Sequence, residues 1–340
     1  MLKNPWLKFS LRLGTTLLLF FILFNSIAKS LSLSSLMSTF TTMDSGMLLI
    51  GFIVGLFCII ISAYQWQCLL DGEGIHIDLR KLTNLYLVGI AFNHFLPTGM
   101  GGDVVKAYYV GKEGQNVPGS ASAVIMSRVT GFLGMICVSI PALILWHTIF
   151  SLSLITLFLL SCLAVCTALG GALLFITLLP RLTGKWSNIN LVRSITKIGQ
   201  TIYKSCTRPH FMCKATLFGL IFHLSAALNY YCYAKTLNIP VPITFYLVAI
   251  PLTSLVTFLP ISLNGYGLRE GTLVAIFTTL HVSANTVLLT ALLFDIQTLL
   301  FALIGGLIYL SMNQHRPQVS TNNIQNVQTS FTTQTQKLPI

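Results

Sequence analysis

Charged residues are scarce in this sequence. Only 8% of its 340 residues are Asp, Glu, Lys or Arg, whereas 54% are hydrophobic and the mean hydropathy is +0.79. Soluble domains carry about 25% charged residues, so this composition argues against a soluble catalytic domain and indicates a polytopic membrane protein. The longest polar stretches are 181–214 and a tail rich in Thr, Gln and Asn, which we expect to be disordered and cytoplasmic over 314–340.

Catalytic motifs are missing as well. The sequence contains no Walker A loop, no Gly-x-Ser-x-Gly elbow and no His-Glu-x-x-His pair. The sequence therefore has no recognisable motif for ATP binding or for hydrolysis. We expect no enzyme activity, no cofactor and no metal site. The eight cysteines lie mostly in apolar segments, which predicts small buried hydrophobes rather than metal ligands or disulfides.

Acidic residues are few: 8, against 20 basic residues, for a net charge of +12. With a cytoplasmic N-terminus, sixteen Lys and Arg residues fall inside and only Lys29 and Lys235 fall outside, as the positive-inside rule requires. We expect both termini in the cytoplasm, the inner membrane of a bacterium as the location, and an anionic lipid surface as the partner of the basic loop 181–214. No nucleic-acid motif is present, so we expect no nucleic-acid partner.

Apolar runs of about 20 residues are long enough to cross a bilayer. We predict six such spans, at 11–30, 46–69, 119–146, 150–179, 212–235 and 284–311. Two further apolar pieces, 82–97 and 242–260, lead into glycines, and the first would reach only about 24 Å across a hydrocarbon core of about 30 Å. The expected fold class is an all-α polytopic membrane protein with six transmembrane helices and two re-entrant hairpins, near 82–113 and 242–281.

The two short pieces share a sequence pattern. Tyr86 and Tyr246 each begin a Tyr-Leu-Val motif, and each piece continues through Phe-Leu-Pro to a glycine-rich stretch that ends at charged residues. With the N-terminus in the cytoplasm, residues 1–148 form two spans, a hairpin and a third span that begin on the cytoplasmic side. Residues 149–313 form the same order of elements, beginning on the outer side. This pattern predicts two inverted repeats whose hairpin tips meet near the membrane midplane. Chance similarity between apolar segments is the alternative.

Charged residues at membrane depth are costly and are therefore candidates for function. Asp103 follows a glycine run whose N–H groups could cradle an anion, with Lys106 on the same helical face; a helix N-cap is the alternative role for Asp103. Arg269 suits a lipid phosphate, with Glu270 completing the site. The alternative is a salt-bridge network between the hairpins, from Asp103 to Arg269 and from Glu270 to Lys106. Adjacent residues such as 269 and 270 need not pair with each other.

Arg128 and Asp295 lie at matching depths in the third and sixth predicted spans. Their opposite charges predict a pair across the pseudo-twofold axis or two steps of one polar path, with a purely structural buried pair as the alternative. His94 is expected to be satisfied polar lining, with a histidine that titrates near neutral pH as the alternative. Trp6, Trp66, Trp146 and Trp186 at span ends are expected to be interfacial anchors. The candidate substrate-binding residues are Asn93, Pro97, Thr98, Gly99, Gly101, Gly102, Asp103, Lys106, Arg128, Pro260, Asn264, Gly265, Gly267, Arg269, Glu270 and Asp295.

At both hairpins the chain resembles the flippase-like transmembrane region of lysylphosphatidylglycerol synthases, a family that also includes stand-alone membrane proteins. The matching words are Asn93 with the Leu-Pro-Thr-Gly-Met-Gly-Gly-Asp run that ends at Asp103, Pro-Ile-Ser from Pro260 with Gly-Tyr-Gly-Leu-Arg-Glu-Gly from Gly265, and Arg-Val-Thr-Gly from Arg128. The likeness extends over about residues 10 to 312. It implies movement of a lipid between leaflets, with the hairpin residues around the headgroup.

The resemblance also has departures. In bifunctional members a soluble domain makes an aminoacylated phosphatidylglycerol; no such domain is expected here, so the substrate need not be that lipid. The family usually has Arg at the position of Lys106 and often an acidic residue at the position of Ser127. Without that local partner Arg128 must find another carboxylate, and Asp295 is the predicted one.

The expected function is a translocase for a phosphate-bearing, aminoacylated or glycosylated lipid, with its headgroup between the hairpins. The first alternative is a membrane subunit of, or a transferase acting on, polyprenyl-phosphate or glycolipid substrates. The second is a non-transporting protein that anchors a separate lipid-modifying enzyme through the basic loop 181–214.

Overall fold

A computed structural model describes residues 43–95, 101–145, 150–182, 190–257, 262 and 265–314, and all the regular structure in these residues is helical, without a strand. The all-α expectation is therefore confirmed. The helices in these ranges are α1 (Ser45–Gly72), α2 (Leu79–Phe95), α3 (Gly101–Glu113), α4 (Val117–Leu145), α5 (Leu152–Leu182), α6 (Asn190–Cys206), α7 (Pro209–Thr236), α8 (Ile243–Thr257), α9 (Leu268–Thr278) and α10 (Ala284–Gln314).

Four helices, α1, α4, α7 and α10, are long and apolar enough to cross a membrane. They cover the predicted second, third, fifth and sixth spans, so the chain is an integral membrane protein. The fourth predicted span falls on α5, which includes the apolar segment Leu152–Ala168. The first, 11–30, lies outside the described residues, as does the tail beyond Gln314, so the total of six spans stays a prediction.

Two pairs of shorter helices lie between the long ones. We call α2 with α3 the first hairpin and α8 with α9 the second hairpin, because the two members of each pair pack against each other. The longest of the four, α2, has 17 residues and reaches about 26 Å, less than a hydrocarbon core of about 30 Å. Over the residues that the structure describes, none of these four helices is long enough to cross a bilayer alone, which is compatible with the predicted re-entrant course.

The order of elements repeats along the chain. A long helix, a hairpin and a second long helix form α1–α4, and the same order forms α7–α10. The counterparts α1 and α7 pack on each other, and each hairpin's first helix contacts the other half, α2 on α10 and α8 on α4. Two repeats related by a twofold axis would make these contacts. Their opposite orientation in the membrane, and the boundaries 1–148 and 149–313, stay predictions.

Close helix packing depends on glycine at several crossings. A Cβ on Gly134 of α4 would run into the backbone of Gly219 on α7, and one on Gly305 of α10 would run into the backbone of Leu87 on α2. Small residues at such crossings let helix backbones approach closely, which is how helices associate in lipid, where the hydrophobic effect does not hold them together.

The crossing of α10 and α2 supplies a matched pair of substitutions. Gly305→Ala is expected to lower the free energy of unfolding by about 1–3 kcal/mol, because the added methyl meets backbone that cannot rotate away. Gly306→Ala, one residue on, meets nothing within 4 Å and is expected to be neutral or slightly stabilising. Thermal unfolding of both purified variants in one detergent measures the difference. Equal melting temperatures would contradict the observed close approach.

The basic loop predicted over 181–214 is in large part a helix, and this part of the prediction was wrong. Within α6, Ile202 is 1% exposed and Ile198 packs beside it against the core, while Lys197 and Lys204 are exposed. The signal is present in the sequence, since apolar residues at 191, 195, 198 and 202 recur with helical spacing. α6 is therefore an amphipathic helix that packs on α4 and α5 and presents lysines outward.

Candidate functional site

The first charge cluster consists of Asp103, Lys106 and Arg128. Asp103 and Lys106 lie three residues apart on α3, and the Lys106 Nζ is 2.8 Å from Asp103 Oδ1. Arg128, on α4, donates to Asp103 Oδ2 from Nη2 at 2.6 Å and from Nε at 3.0 Å. One carboxylate thus holds two cations, one from its own helix and one from the next.

Aromatic rings surround the buried cation of this cluster. Lys106 is 7% exposed, and its Nζ lies 4.4 Å from the ring centre of Tyr86 and 5.5 Å from that of Trp66. Such rings offset part of the desolvation cost of an ammonium group. Trp66 is 1% exposed, so its prediction as an interfacial anchor was wrong. Both rings were missed as site residues, although Tyr86 opens the repeated Tyr-Leu-Val word.

The second charge cluster consists of Arg269, Glu270 and Asp295. Arg269, on α9, donates to Glu270 Oε1 from Nη2 at 3.0 Å and from Nε at 3.2 Å, and its Nη2 also forms an ion pair with Asp295 on α10. Its guanidinium carbon lies 4.9 Å from the ring centre of Phe294. Helix geometry did not require the neighbours 269 and 270 to pair, and the structure shows that they do.

Glu270 has a structural task besides this ion pair. Its Oε2 accepts a hydrogen bond from the Gly267 N–H at 2.5 Å, and the residue is 0% exposed. A Glu at the third position of a helix that accepts from the residue before the helix satisfies one of the unpaired N-terminal donors. Gly265 and Gly267 have φ of +77° and +78°, in the left-handed region that favours glycine. The Gly-Tyr-Gly word therefore forms the turn that starts α9.

The clusters pair differently from the predictions. The predicted pair of Arg128 with Asp295 was wrong, because Arg128 binds Asp103 and Asp295 binds Arg269. The predicted network from Asp103 to Arg269 and from Glu270 to Lys106 is likewise replaced by pairs within each half. The reason is packing: α3 lies on α4 and α9 lies on α10, so each long helix meets the charges of the hairpin that precedes it.

The two clusters have opposite composition. The first joins two cations to a central Asp103, and the second joins two carboxylates to a central Arg269. In both, the central residue lies on the hairpin and one partner lies on the following long helix. The two halves of the chain therefore have the same arrangement of charged residues, but the central residue is an anion in the first half and a cation in the second.

The glycine run before Asp103 is already partly occupied. The Gly102 N–H donates to the Asn93 side-chain oxygen at 2.8 Å, so this amide is not free to cradle an anion. Asp103 lies inside the first turn of α3, so the N-cap alternative was wrong. Gly102 also packs against Gly89, where a Cβ would meet backbone. Among the other candidates, Gly101 begins α3, and those outside the described residues are Pro97, Thr98, Gly99, Pro260 and Asn264.

The two hairpins are in contact at His94 and Tyr266. Their ring centres are 6.0 Å apart and the rings are nearly perpendicular at 76°. Tyr266 also lies beneath Arg269, 5.8 Å from its guanidinium carbon, so the first hairpin reaches the edge of the second charge cluster. His94 Nδ1 is 3.1 Å from the Ile90 carbonyl oxygen, and its buried Nε2 has no hydrogen-bond partner among the described residues. His94 is thus only half satisfied within that part of the chain.

Exposure distinguishes the members of the clusters. The Arg128 side chain is 49% exposed, whereas the side chains of Asp103 and Asp295 are each 14% exposed and that of Lys106 is buried. A guanidinium can bind a phosphate through two parallel hydrogen bonds, so Arg128 is the accessible anion-binding group of the two clusters. Asp295 is the more accessible carboxylate of the second cluster, since Glu270 is fully buried.

Cysteines and metal-binding groups add little to this site. In the described residues, no three His, Cys, Asp or Glu side chains are placed to hold a metal ion. The prediction that the cysteines are mostly buried was wrong for four of them, because helix faces that point outward carry them. The exposed ones are Cys137, Cys166, Cys206 and Cys213.

Comparison with known proteins gives one match. A family model described as the lysylphosphatidylglycerol synthase TM region matches residues 9–306, which include both hairpins and both charge clusters. No curated protein and no solved structure matches the chain significantly.

Proposed function

Because this chain belongs to the family of the lysylphosphatidylglycerol synthase transmembrane region, we propose that it moves a phosphate-bearing lipid between the two leaflets of its membrane. The family ties this integral membrane protein to lipid modification or lipid transport. The single observation that carries the proposal of lipid movement is the pair of charge clusters, one centred on each hairpin. At these clusters an ionic headgroup could form ion pairs with the protein and so avoid contact with bare hydrocarbon.

The phosphate of the lipid binds at the first charge cluster. Arg128 is half-exposed and shares Asp103 with Lys106, so the cluster contains one more positive than negative charge. A phosphate that approaches Arg128 replaces part of the Asp103 interaction and is drawn to the surplus cation. Ionised groups at membrane depth are tolerated when they are paired, which explains how a headgroup could pass there.

A cationic or hydroxyl-rich part of the headgroup binds at the second charge cluster. That cluster contains one more negative than positive charge, and Asp295 is its partly exposed carboxylate. The contact between His94 and Tyr266 joins the hairpins that carry the central residues of the two clusters. An aminoacylated or glycosylated phosphate lipid would match both clusters at once.

Movement follows from the two-half architecture. If the halves are inverted repeats, rocking one against the other would expose the same headgroup site to each side in turn, with the acyl chains remaining in lipid. The lysines of α6 would rest on the anionic surface of the cytoplasmic leaflet, which agrees with cytoplasmic termini in a bacterial inner membrane.

Arg128→Gln tests the proposal most directly. In reconstituted vesicles with acyl-labelled phosphate lipids, we expect lipid movement to fall at least about tenfold, the effect of losing roughly 1.4 kcal/mol of charge-assisted binding. Protection of the labelled lipid from a membrane-impermeant quencher measures the movement. Arg80→Gln is the control, because Arg80 is exposed and belongs to neither cluster.

The same vesicles separate the alternatives. They contain no soluble enzyme and no glycosyl or aminoacyl donor, so movement in them cannot come from a transferase or from an anchored partner. Wild-type movement that equals protein-free vesicles would contradict the translocase proposal. Full activity of Arg128→Gln would contradict the assignment of the phosphate to the first charge cluster.

A further inference from the structure

Four polar side chains are buried where the long helices cross, and they occupy matching positions in the two halves. Gln65 is the twenty-first residue of α1 and Asn229 is the twenty-first of α7. Thr130 and Gln297 are each the fourteenth residue of their helices, α4 and α10. All four residues are buried. Because a polar group inside the membrane is costly unless it is hydrogen bonded, the bonds that these four form are informative.

In the first half the bond joins the two matching side chains to each other. Gln65 Nε2 donates to Thr130 Oγ1 at 3.0 Å and to the Ser127 carbonyl oxygen at 3.3 Å. This side-chain bond ties α1 to α4, the long helix of the same half. Asn229 and Gln297 could form the same kind of bond in the second half, because each carboxamide has both a donor and an acceptor.

In the second half the two carboxamides bond to the other half instead. Asn229 Nδ2 donates to the Gly51 carbonyl oxygen of α1 at 2.5 Å. Gln297 Nε2 donates to the carbonyl oxygens of Gly51 at 3.4 Å and of Phe52 at 3.2 Å. The Gln297 amide lies against Gly55 of α1, where an added Cβ would collide with it. One long side chain thus bonds α10 to the backbone of α1.

The oxygens of the two carboxamides remain without a donor. Asn229 Oδ1 and Gln297 Oε1 are both buried, and neither accepts a hydrogen bond within the described part of the chain. A buried acceptor without a donor is costly. Because both nitrogens bond the Gly51 carbonyl oxygen, their separation is at most the sum of those two bond lengths. A change of rotamer at Gln297 can therefore move its Nε2 from α1 to Asn229 Oδ1.

We propose that Gln297 is a latch between α10 and α1 with two hydrogen-bond states. In the latched state, which the structure shows, Gln297 donates to the backbone of α1. In the released state it donates to Asn229, and the bond joins two helices of one half, as Gln65 and Thr130 do. Asp295 lies two residues before Gln297 on α10, so release frees α10 to move the second charge cluster relative to α1. This last step rests on the proposed function, whereas the latch itself does not.

Spin labels on the two helices test the latch. In the full chain the four exposed cysteines are replaced by serine, and nitroxides are attached at Leu49→Cys of α1 and Leu303→Cys of α10, both at exposed positions. Double electron–electron resonance in vesicles measures the distribution of distances between the labels. With Gln297 and Asn229 in place we expect two distances, one for the latched state and one for the released state.

Two variants should move this distribution in opposite directions. Gly55→Ala places a methyl where the Gln297 amide lies in the latched state, so the released population should rise at least about fivefold. Asn229→Leu removes the acceptor of the released state, so that population should fall about fivefold, the effect of one net hydrogen bond of about 1 kcal/mol. Thr130→Val changes the position in α4 that matches Gln297, and as the control it should leave the distances between α1 and α10 unchanged.

A single distance that neither Gly55→Ala nor Asn229→Leu alters would overturn the latch, and so would an equal response to Thr130→Val. The distances are measured without a transport assay, so they do not depend on whether the vesicles move lipid. Lipid movement by Asn229→Leu is a separate readout. If the wild type moves lipid and this variant moves it equally fast, the latch does not serve the proposed function.

Discussion

Asp103→Asn is expected to abolish lipid movement and to lower the free energy of unfolding by about 3–5 kcal/mol. Asp103 is the one carboxylate that both Lys106 and Arg128 contact, at 2.8 and 2.6 Å. Its neutralisation leaves the ammonium of Lys106, at 7% exposure, with only the rings of Tyr86 and Trp66 for compensation. A buried charge that loses its partner is strongly destabilising.

A double substitution separates folding from function at this site. Asp103→Asn with Lys106→Met removes the unpaired buried cation, so we expect most of the stability to return. Lipid movement should stay absent, because Arg128 still lacks the Asp103 carboxylate that a lipid phosphate would replace. Thermal unfolding and vesicle transport on the same preparations measure both quantities. If the double variant transports lipid at the wild-type rate, Asp103 is a structural residue only.

Arg269→Gln is expected to cause the second large loss of stability. It leaves Glu270, at 0% exposure, and Asp295 facing each other without their shared cation. Removing one partner from a buried ion network costs about 3–5 kcal/mol, and the repulsion between two carboxylates adds to this cost. Thermal unfolding of the purified variant in detergent should show the loss directly.

Asp295→Asn is the informative companion of that variant. Arg269 keeps Glu270 as its partner, so we expect a small change in stability and a large fall in movement of amine-bearing lipids. The double variant Arg269→Gln with Asp295→Asn leaves one unpaired carboxylate, Glu270, in place of two, so part of the stability should return. Wild-type transport by Asp295→Asn would show that the second charge cluster holds the hairpin to α10 and does not contact the substrate.

Local sequence predicted the elements well where one physical rule dominated. The long apolar runs gave α1, α4, α7 and α10 within a few residues, because a segment without charges has no stable place outside the membrane. The short apolar pieces 82–97 and 242–260 gave α2 and α8 in their described parts, because short apolar runs favour short buried helices. The helix α6 was not predicted, because the basic residues of 181–214 indicate a polar loop while the helical spacing of its apolar residues is a weaker signal.

Composition alone identifies the residues that carry charge at membrane depth, because charged residues are so few that Asp103, Arg128, Arg269, Glu270 and Asp295 stand out. Their pairing, in contrast, follows from the packing of the helices. A charge inside the membrane must be neutralised by whatever opposite charge packing brings within about 4 Å. The crossing of each hairpin on its following long helix fixes that neighbour, and such a crossing depends on contacts between distant segments that no local pattern encodes.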